Sequence, residues 1–179
     1  MHVTLPSPTA QLRLETLNAM SEERFVECLG EVFEHSPWVA RAAFTAGPFA
    51  DIGTLHTAMV AAMNRAEAPA QLALLCAHPE LAGKAAQRGE LTDASTQEQS
   101  RAGLDALTPQ EMLQITALNA AYRERHGFPF IVCVGQHTKA SIFSTFAQRV
   151  AQDPHHERTE ALRQVAAIAL LRLNKLISP

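Results

Sequence analysis

The sequence predicts an all-α protein, a single compact domain of about seven to eight helices with one buried extended segment near residues 128–134. A length of 179 residues suits one domain that can bury a substantial core. Hydrophobic residues make up 47% of the chain but aromatic residues only 6%, and Ala and Leu are abundant, which favours helices. We assign residues 1–179 to this domain and expect residues 1–10, which contain two prolines, to form an irregular N-terminal arm.

Helix starts in the first half of the chain are marked by residues that suit a cap or a first turn. These are Ser21, Ser36-Pro37, Asp51 and Pro69. The helix that begins near Pro69 is expected to end near His78, because Pro79 disfavours helical geometry in the residue before it.

Four further helices are predicted in the second half. Ser95–Glu98 and Thr108–Glu111 each match a capping box, and the second of these helices should stop at Gly127. The pattern also predicts a helix over 139–152 and a long last helix from Asp153-Pro154. The apolar residues expected to face inward on the last helix are Leu162, Val165, Ala169, Leu173 and Leu176. The strand-like run 128–134 stands alone, and a single strand cannot form a sheet, so a buried extended segment is expected.

Charge and cysteine usage exclude several classes of function. A net charge of −3 and a pI of about 6.2 give no electrostatic footprint for nucleic acid, and the scattered basic residues argue against docking on membranes. No apolar run approaches the roughly 20 residues of a membrane span, and the N-terminus lacks a secretory signal pattern. Cys28, Cys76 and Cys133 are far apart, which predicts reduced, buried thiols and a cytoplasmic protein.

The histidines do not predict a metal site. His155 and His156 are adjacent and point about 100° apart on a helix, and no His-x-x-x-His or His-Glu-x-x-His motif occurs. Gly-x-Ser-x-Gly and Gly-rich phosphate loops are also absent, and Cys133 has no neighbouring signal for thiolate activation. We therefore expect neither a metal nor a cofactor.

Six residues are candidates for a functional site, each with a structural alternative. His78 follows an apolar segment and precedes Pro79, so it either handles a proton in a cavity or caps the last helical carbonyls. Ser95 and Glu98 belong to a capping box, but they also stand where a helix N-terminus offers N–H groups to a ligand. Arg172 lies on the apolar face of the last helix and either extends to solvent or reaches a buried anion. Glu34 and Trp38 either line a pocket or serve packing and capping.

Several motifs in order along the chain extend over most of its length, from about Phe25 to Leu173. They are Phe33-Glu34-His35-Ser36-Pro37-Trp38-Val39, His78-Pro79-Glu80-Leu81-Ala82-Gly83, Ser95-Thr96-Gln97-Glu98-Gln99 leading into Ala102-Gly103-Leu104, Asn119, Tyr122, Gly127-Phe128-Pro129-Phe130-Ile131, Glu157, Ala161-Leu162 and Arg172-Leu173. In these motifs the chain resembles the 2-oxo-4-hydroxy-4-carboxy-5-ureidoimidazoline (OHCU) decarboxylases of urate degradation.

The resemblance implies a carboxy-lyase of purine metabolism that converts OHCU to (S)-allantoin and carbon dioxide. It implies an all-α homodimer that needs neither a metal nor an organic cofactor, and His78 as the catalytic residue. We expect Glu98 to be catalytic with it, either binding the substrate hydroxyl or holding the imidazole in its productive orientation. The residues expected to bind substrate are Pro79, Ser95, Thr96, Gln97, Glu98, Gln99, Phe130, Ile131, Val132, Cys133, Val134 and Arg172.

The chemistry suits these residues. Decarboxylation leaves an electron pair on carbon, and the conjugated imidazoline ring can accept it where other enzymes use a cofactor. A fixed imidazolium at His78 would be a suitable acid for delivering a proton to one face of the ring, or His78 handles the proton in another way during carboxylate loss. Two alternatives remain, a non-catalytic helical ureide-binding module and a metal-dependent ureide hydrolase.

Overall fold

A computed structural model describes residues 11–178 and is predominantly helical over that range. The predicted arm at residues 1–10 lies outside the described residues. The helices are α1 (Leu14–Asn18), α2 (Glu22–Leu29), α3 (Pro37–Phe44), α4 (Ile52–Arg65), α5 (Ala68–Ala77), α6 (Lys84–Gln87), α7 (Asp93–Arg101), α8 (Pro109–His126), α9 (Lys139–Val150) and α10 (Pro154–Leu176), with a short 3₁₀ helix at Val134–Gln136. Two-residue strands, β1 (Leu12–Arg13) and β2 (Ile177–Ser178), pair in parallel and bring the two ends of the described chain together.

Most predicted helix starts are confirmed. The Ser21 and Asp51 side chains cap α2 and α4, and Thr108 and Glu111 form the capping box of α8. Gly127 ends α8 with a φ of +79°, a left-handed conformation that glycine adopts without steric cost. The count of seven to eight was low for the described residues, because α1 and α6 have only five and four residues and lack a periodic apolar pattern.

The predicted cap at Ser95 was wrong. Helix α7 begins at Asp93, and the Thr92 hydroxyl accepts the hydrogen bond from the Ser95 backbone N–H. Ser95 therefore lies inside the first turn with its side chain buried. Thr92 and Ser95 are hydroxyl residues three positions apart, and the local sequence allows either one to be the N-cap of α7. The tertiary contacts of the Ser95 side chain decide that Thr92 is the cap.

One core cluster joins residues from α1 to β2. On α10, Val165, Ala169 and Leu173 are buried as predicted and Leu162 is half-buried, but Leu176 is 37% exposed at the last helical turn. All three cysteines are free thiols, as predicted, but only Cys133 is buried, since Cys28 is half-buried and Cys76 is exposed.

The extended segment is confirmed. Residues 129–133 belong to neither a helix nor a strand, and every residue from Phe128 to Val134 is buried. The segment passes between α8 and the 3₁₀ helix and borders the candidate site.

Candidate active site

The two ring nitrogens of His78 have different surroundings at the end of α5. His78 is the C-cap residue, with extended backbone, and its Nδ1 lies 2.9 Å from the Leu74 carbonyl oxygen one turn back. A carbonyl oxygen only accepts hydrogen bonds, so Nδ1 carries a hydrogen and donates it. In the neutral ring Nε2 then has the lone pair, and it has no hydrogen-bond partner within residues 11–178. The side chain lines a cavity.

Burial lowers the pKa of His78 below its ordinary value of 6.5. The Leu74 carbonyl and the negative charges of Glu34 and Glu98 oppose this shift, whereas the positive charge of Arg172 adds to it. The imidazole is therefore neutral at pH 7 in the protein without substrate. A fixed imidazolium is not the resting form, so the ring must accept a proton before it can donate one.

Arg172 binds two carboxylates. Its Nε and Nη2 donate to the two oxygens of Glu98, each at 2.8 Å, and its Nη1 donates to Glu34 at 2.7 Å. The remaining donors reach the Ser95 hydroxyl at 3.2 Å and the carbonyls of residues 31 and 32 at 3.4 Å. Every N–H group of the guanidinium is thus engaged, which resolves the alternatives for Arg172 in favour of a buried anion.

Glu34 is the second carboxylate that pairs with Arg172. Its carboxylate accepts hydrogen bonds from the hydroxyls of Thr92 and Ser95, at 2.8 and 2.9 Å, as well as from Arg172. Burial alone would raise its pKa, but the charge and hydrogen bond of Arg172, together with the Thr92 hydroxyl, outweigh burial, so the pKa of Glu34 lies below 4.5. Glu34 stays ionised and balances Arg172 where water is excluded.

The cavity combines three separate parts of the chain with α10. Its lining is His78, Pro79, Leu81, Ser95, Glu98, Gln99, Phe130, Ile131, Val132, Val134, Ile168 and Arg172. Three residues expected to bind substrate do not line it, namely Thr96, Gln97 and Cys133. Thr96 and Gln97 are exposed, because one face of α7 presents Ser95, Glu98 and Gln99 and the intervening residues point elsewhere.

Cys133 faces an adjoining cavity instead. Burial raises the pKa of its thiol, and the nearby charge of Glu98 acts in the same direction. The thiol is therefore protonated at neutral pH, as expected for a structural cysteine.

The turn after His78 is held by two buried amides. The Gln99 Oε1 accepts the Ala82 backbone N–H at 2.8 Å, and the Asn119 Nδ2 donates to the Leu81 carbonyl at 2.9 Å. A Cβ on Gly83 would lie 2.7 Å from the Cβ of Glu80, so the turn closes only with glycine at this position. These contacts fix the direction in which Pro79 and Leu81 enter the cavity wall.

The extended segment offers unpaired backbone groups to the cavity. Neither the N–H nor the C=O of Val132 has a hydrogen-bond partner within residues 11–178, although the residue is only 4% exposed and lines the cavity. Buried backbone groups are nearly always paired, so this peptide region is ready to bind a polar ligand.

Comparison with known proteins assigns the family. The sequence model of the OHCU decarboxylase family matches residues 18–174. The chain belongs to this family. It is 40% identical over 169 residues to the 2-oxo-4-hydroxy-4-carboxy-5-ureidoimidazoline decarboxylase of Halalkalicoccus jeotgali, covering 94% of each chain. Its identity to the protein of the same name from Haloferax volcanii is 39% over 168 residues, covering 94% of this chain and 98% of that one.

A solved structure supports the same assignment. The chain superposes on the crystal structure of an (S)-allantoin synthase with a TM-score of 0.75 and 31% identity, covering 93% of this chain. It spans about half of that solved chain, 54% of its length.

In this OHCU decarboxylase family member, the sequence predicted most of the residues that line the cavity, but not Leu81, Ile168 or the role of Glu34 behind Arg172. Leu81 and Ile168 line the cavity, and Glu34 holds Arg172 from behind it. Glu34 was left open between pocket and packing roles, since an acidic residue near a helix start is common. Its complete burial was the decisive signal, and only the fold reveals it.

Residues 11–178 contain no group of three or more His, Cys, Asp or Glu side chains arranged to hold a metal ion. No helix in the same range is long and apolar enough to cross a membrane.

Proposed function

We propose that this protein converts OHCU to (S)-allantoin and carbon dioxide in urate degradation, as a carboxy-lyase that uses neither a metal nor an organic cofactor. One observation carries the proposal. His78, whose Nε2 has no hydrogen-bond partner within residues 11–178, lines the same cavity as Glu98, whose carboxylate is held in place by Arg172. This places a proton-transfer group and an ordered anion on the wall of one cavity.

His78 handles the proton. Its Nε2 accepts the proton of the substrate's ring hydroxyl, which gives an imidazolium. The bond between the ring carbon and the carboxylate then breaks, its electron pair enters the conjugated ring, and carbon dioxide leaves. The imidazolium returns its proton to one face of the ring, and a solvent proton neutralises the remaining negative charge. Delivery from one side accounts for a single enantiomer.

Glu98 orients the substrate, and Arg172 positions Glu98. Both Glu98 oxygens accept from Arg172 but retain further lone pairs, which suit the hydroxyl or N–H groups of the substrate. Because the donors of Arg172 are already engaged by Glu34, Ser95 and Glu98, its part is to fix the Glu98 carboxylate. Ser95 and Gln99 contribute from the same face of α7.

The extended segment binds the ureido group. A ureide presents both N–H donors and a carbonyl acceptor. The backbone N–H and C=O of Val132, which have no partner in the described part of the chain, complement them. Phe130, Ile131 and Val134 supply the apolar wall. Two such hydrogen bonds select a ureide over an apolar ring of similar size.

The chain acts as one domain over residues 1–179, as a homodimer in the cytoplasm. The homodimer follows from the family resemblance and the cytoplasmic location from the cysteine pattern, and the family match over residues 18–174 supports a single domain. Light scattering should give a mass of twice 19.5 kDa.

Circular dichroism during urate breakdown tests the function. OHCU is generated in place with urate oxidase and hydroxyisourate hydrolase, and the purified protein is added with and without a chelator. We expect rapid accumulation of optically active allantoin that is unaffected by the chelator. A rate no faster than the spontaneous reaction would favour a binding module, and activity lost to the chelator would favour a metal-dependent hydrolase.

A further inference from the structure

A buried polar cluster lies behind the extended segment, away from the cavity. Glu157, in the first turn of α10, is 0% exposed and accepts hydrogen bonds from the Tyr122 hydroxyl at 2.5 Å and the Arg149 Nε at 2.7 Å. Arg149 on α9 is buried as well. None of these three side chains lines the cavity, and the mechanism above uses none of them.

Arg149 contacts the extended segment in two ways. Its Nη1 donates to the Ile131 carbonyl at 2.8 Å, and its guanidinium carbon lies 4.6 Å from the centre of the Phe130 ring. That ring also stacks on Phe146, with centres 3.9 Å apart and planes 10° apart. The guanidinium therefore fixes both the backbone and a side chain of a segment that pairs with no strand among residues 11–178.

A second polar side chain holds the same edge of the segment. The Gln164 Oε1 on α10 accepts the Cys133 backbone N–H at 2.8 Å. In an extended chain the C=O of one residue and the N–H two residues later point to the same side, and the groups of the residue between them point to the opposite side. Arg149 and Gln164 thus occupy one edge, which leaves the Val132 groups directed away from them.

We propose that Arg149, held by Glu157, is a positioning residue that aims the backbone N–H and C=O of Val132 at the ureido group of the substrate, an inference that rests on the proposed function. Stability alone does not require a buried Arg149–Glu157 pair behind Ile131. An apolar side chain would fill the same space, and replacing a buried ion pair by apolar residues is often neutral for the free energy of unfolding. A guanidinium does what an apolar group does not, because its fixed fork sets the orientation of the carbonyl it binds.

Two substitutions separate positioning from stability. Arg149→Lys keeps the charge beside Glu157 but loses the fork that joins Glu157 to Ile131. Tyr122→Phe removes a hydrogen bond from the same Glu157 and leaves the Arg149–Ile131 contact in place. We expect the KM for OHCU to rise roughly tenfold in Arg149→Lys, with kcat changed much less, because the ureido contacts are equal in the ground and transition states. Tyr122→Phe should lower the melting temperature and leave the KM unchanged.

Gln164→Leu provides a second test at the other contact, in case Arg149→Lys does not fold. It should raise the KM in the same way, because the Cys133 N–H loses its acceptor. Hydrogen exchange of the peptide covering 128–136 should quicken in both segment variants and not in Tyr122→Phe.

Unchanged KM and unchanged exchange in folded Arg149→Lys or Gln164→Leu would overturn the inference, as would equal KM changes in all three variants. Failure of the proposed function is a separate result. It would show as wild-type protein that does not convert OHCU, and the exchange measurement would still decide whether Arg149 holds the segment.

Discussion

The side chain of His78 uses its two ring nitrogens for different purposes. From its position, the residue was open between a helix cap and a proton-transfer group, and the structure joins the two roles. Its Nδ1 satisfies the Leu74 carbonyl at the end of α5, and that bond leaves the lone pair on Nε2 beside the cavity. Burial then keeps the resting ring neutral by lowering its pKa. Capping the helix therefore sets the tautomer that the chemistry needs.

Glu34 is the residue whose importance emerges only in three dimensions. We predict that Glu34→Gln lowers the free energy of unfolding by about 3 kcal/mol at pH 7, because it removes one of the two carboxylates that neutralise the buried Arg172. The folded pKa of Glu34 lies below 4.5, so its stabilisation is complete above that pH and is lost as the pH falls through the folded value. Urea unfolding at pH 7 and at lower pH checks both points.

The matched control is Glu27→Gln, which removes a carboxylate from the exposed Arg24 on α2. This change should cost much less, because exposed pairs contribute roughly 0–1 kcal/mol. A stability difference between wild type and Glu34→Gln that stays constant below pH 4.5 would contradict the account of Glu34.

At the scale of elements, the turn between α5 and α6 sets the position of the site. We predict that Gly83→Ala lowers kcat and destabilises the protein by about 1–3 kcal/mol, because the new Cβ would lie 2.7 Å from the Cβ of Glu80 and push the turn outward. Gln99 on α7 and Asn119 on α8 bind the same turn, so a displaced turn breaks their hydrogen bonds or moves Pro79 and Leu81, which line the cavity. Steady-state kinetics and thermal melting check this prediction, and a variant with wild-type kcat would refute it.

Local signals predicted the elements well where one residue decides the outcome. Gly127 and the Thr108–Glu111 box marked the two ends of α8, and Pro79 marked the end of α5. At Ser95 the local signal failed, because Thr92 satisfies the same spacing and the hydroxyl of Ser95 bonds Glu34, 61 residues away. Spacing along a chain carries no information about a partner so distant.

The site itself was predicted mainly through the family resemblance. Spacing alone left His78, Glu98 and Arg172 each with a structural alternative, and the motifs in order brought them together. Helical periodicity should have separated Glu98 from Thr96 and Gln97, which share the Ser95–Gln99 motif but point away from the cavity. Neither helical periodicity nor the family resemblance predicted the buried cluster that contains Arg149 and Glu157. Its contacts join residues of α8, α9, α10 and the extended segment, which are far apart in the sequence.

At the scale of the whole molecule, four distant parts of the chain meet in one cavity. The end of α5 contributes His78, α7 contributes Glu98, the extended segment contributes Val132, and α10 contributes Arg172. The helix α10 connects these parts, since Glu157, Gln164 and Arg172 extend from one buried side of it towards the segment and α7. Membership of the OHCU decarboxylase family indicates that the reaction at this cavity is decarboxylation. The neutral His78 is the group in the cavity that can accept and return a proton.

The most direct test of this account is the enantiomeric excess of allantoin formed from OHCU by His78→Asn. The control is His56→Asn, the same change at a half-buried histidine on α4 that also contacts a backbone carbonyl, at 2.8 Å. We predict that folded His78→Asn loses roughly 10²- to 10⁴-fold in rate and yields racemic allantoin from the spontaneous reaction, whereas His56→Asn yields the (S) enantiomer at the wild-type rate. Near-normal, enantioselective turnover by folded His78→Asn would contradict the account.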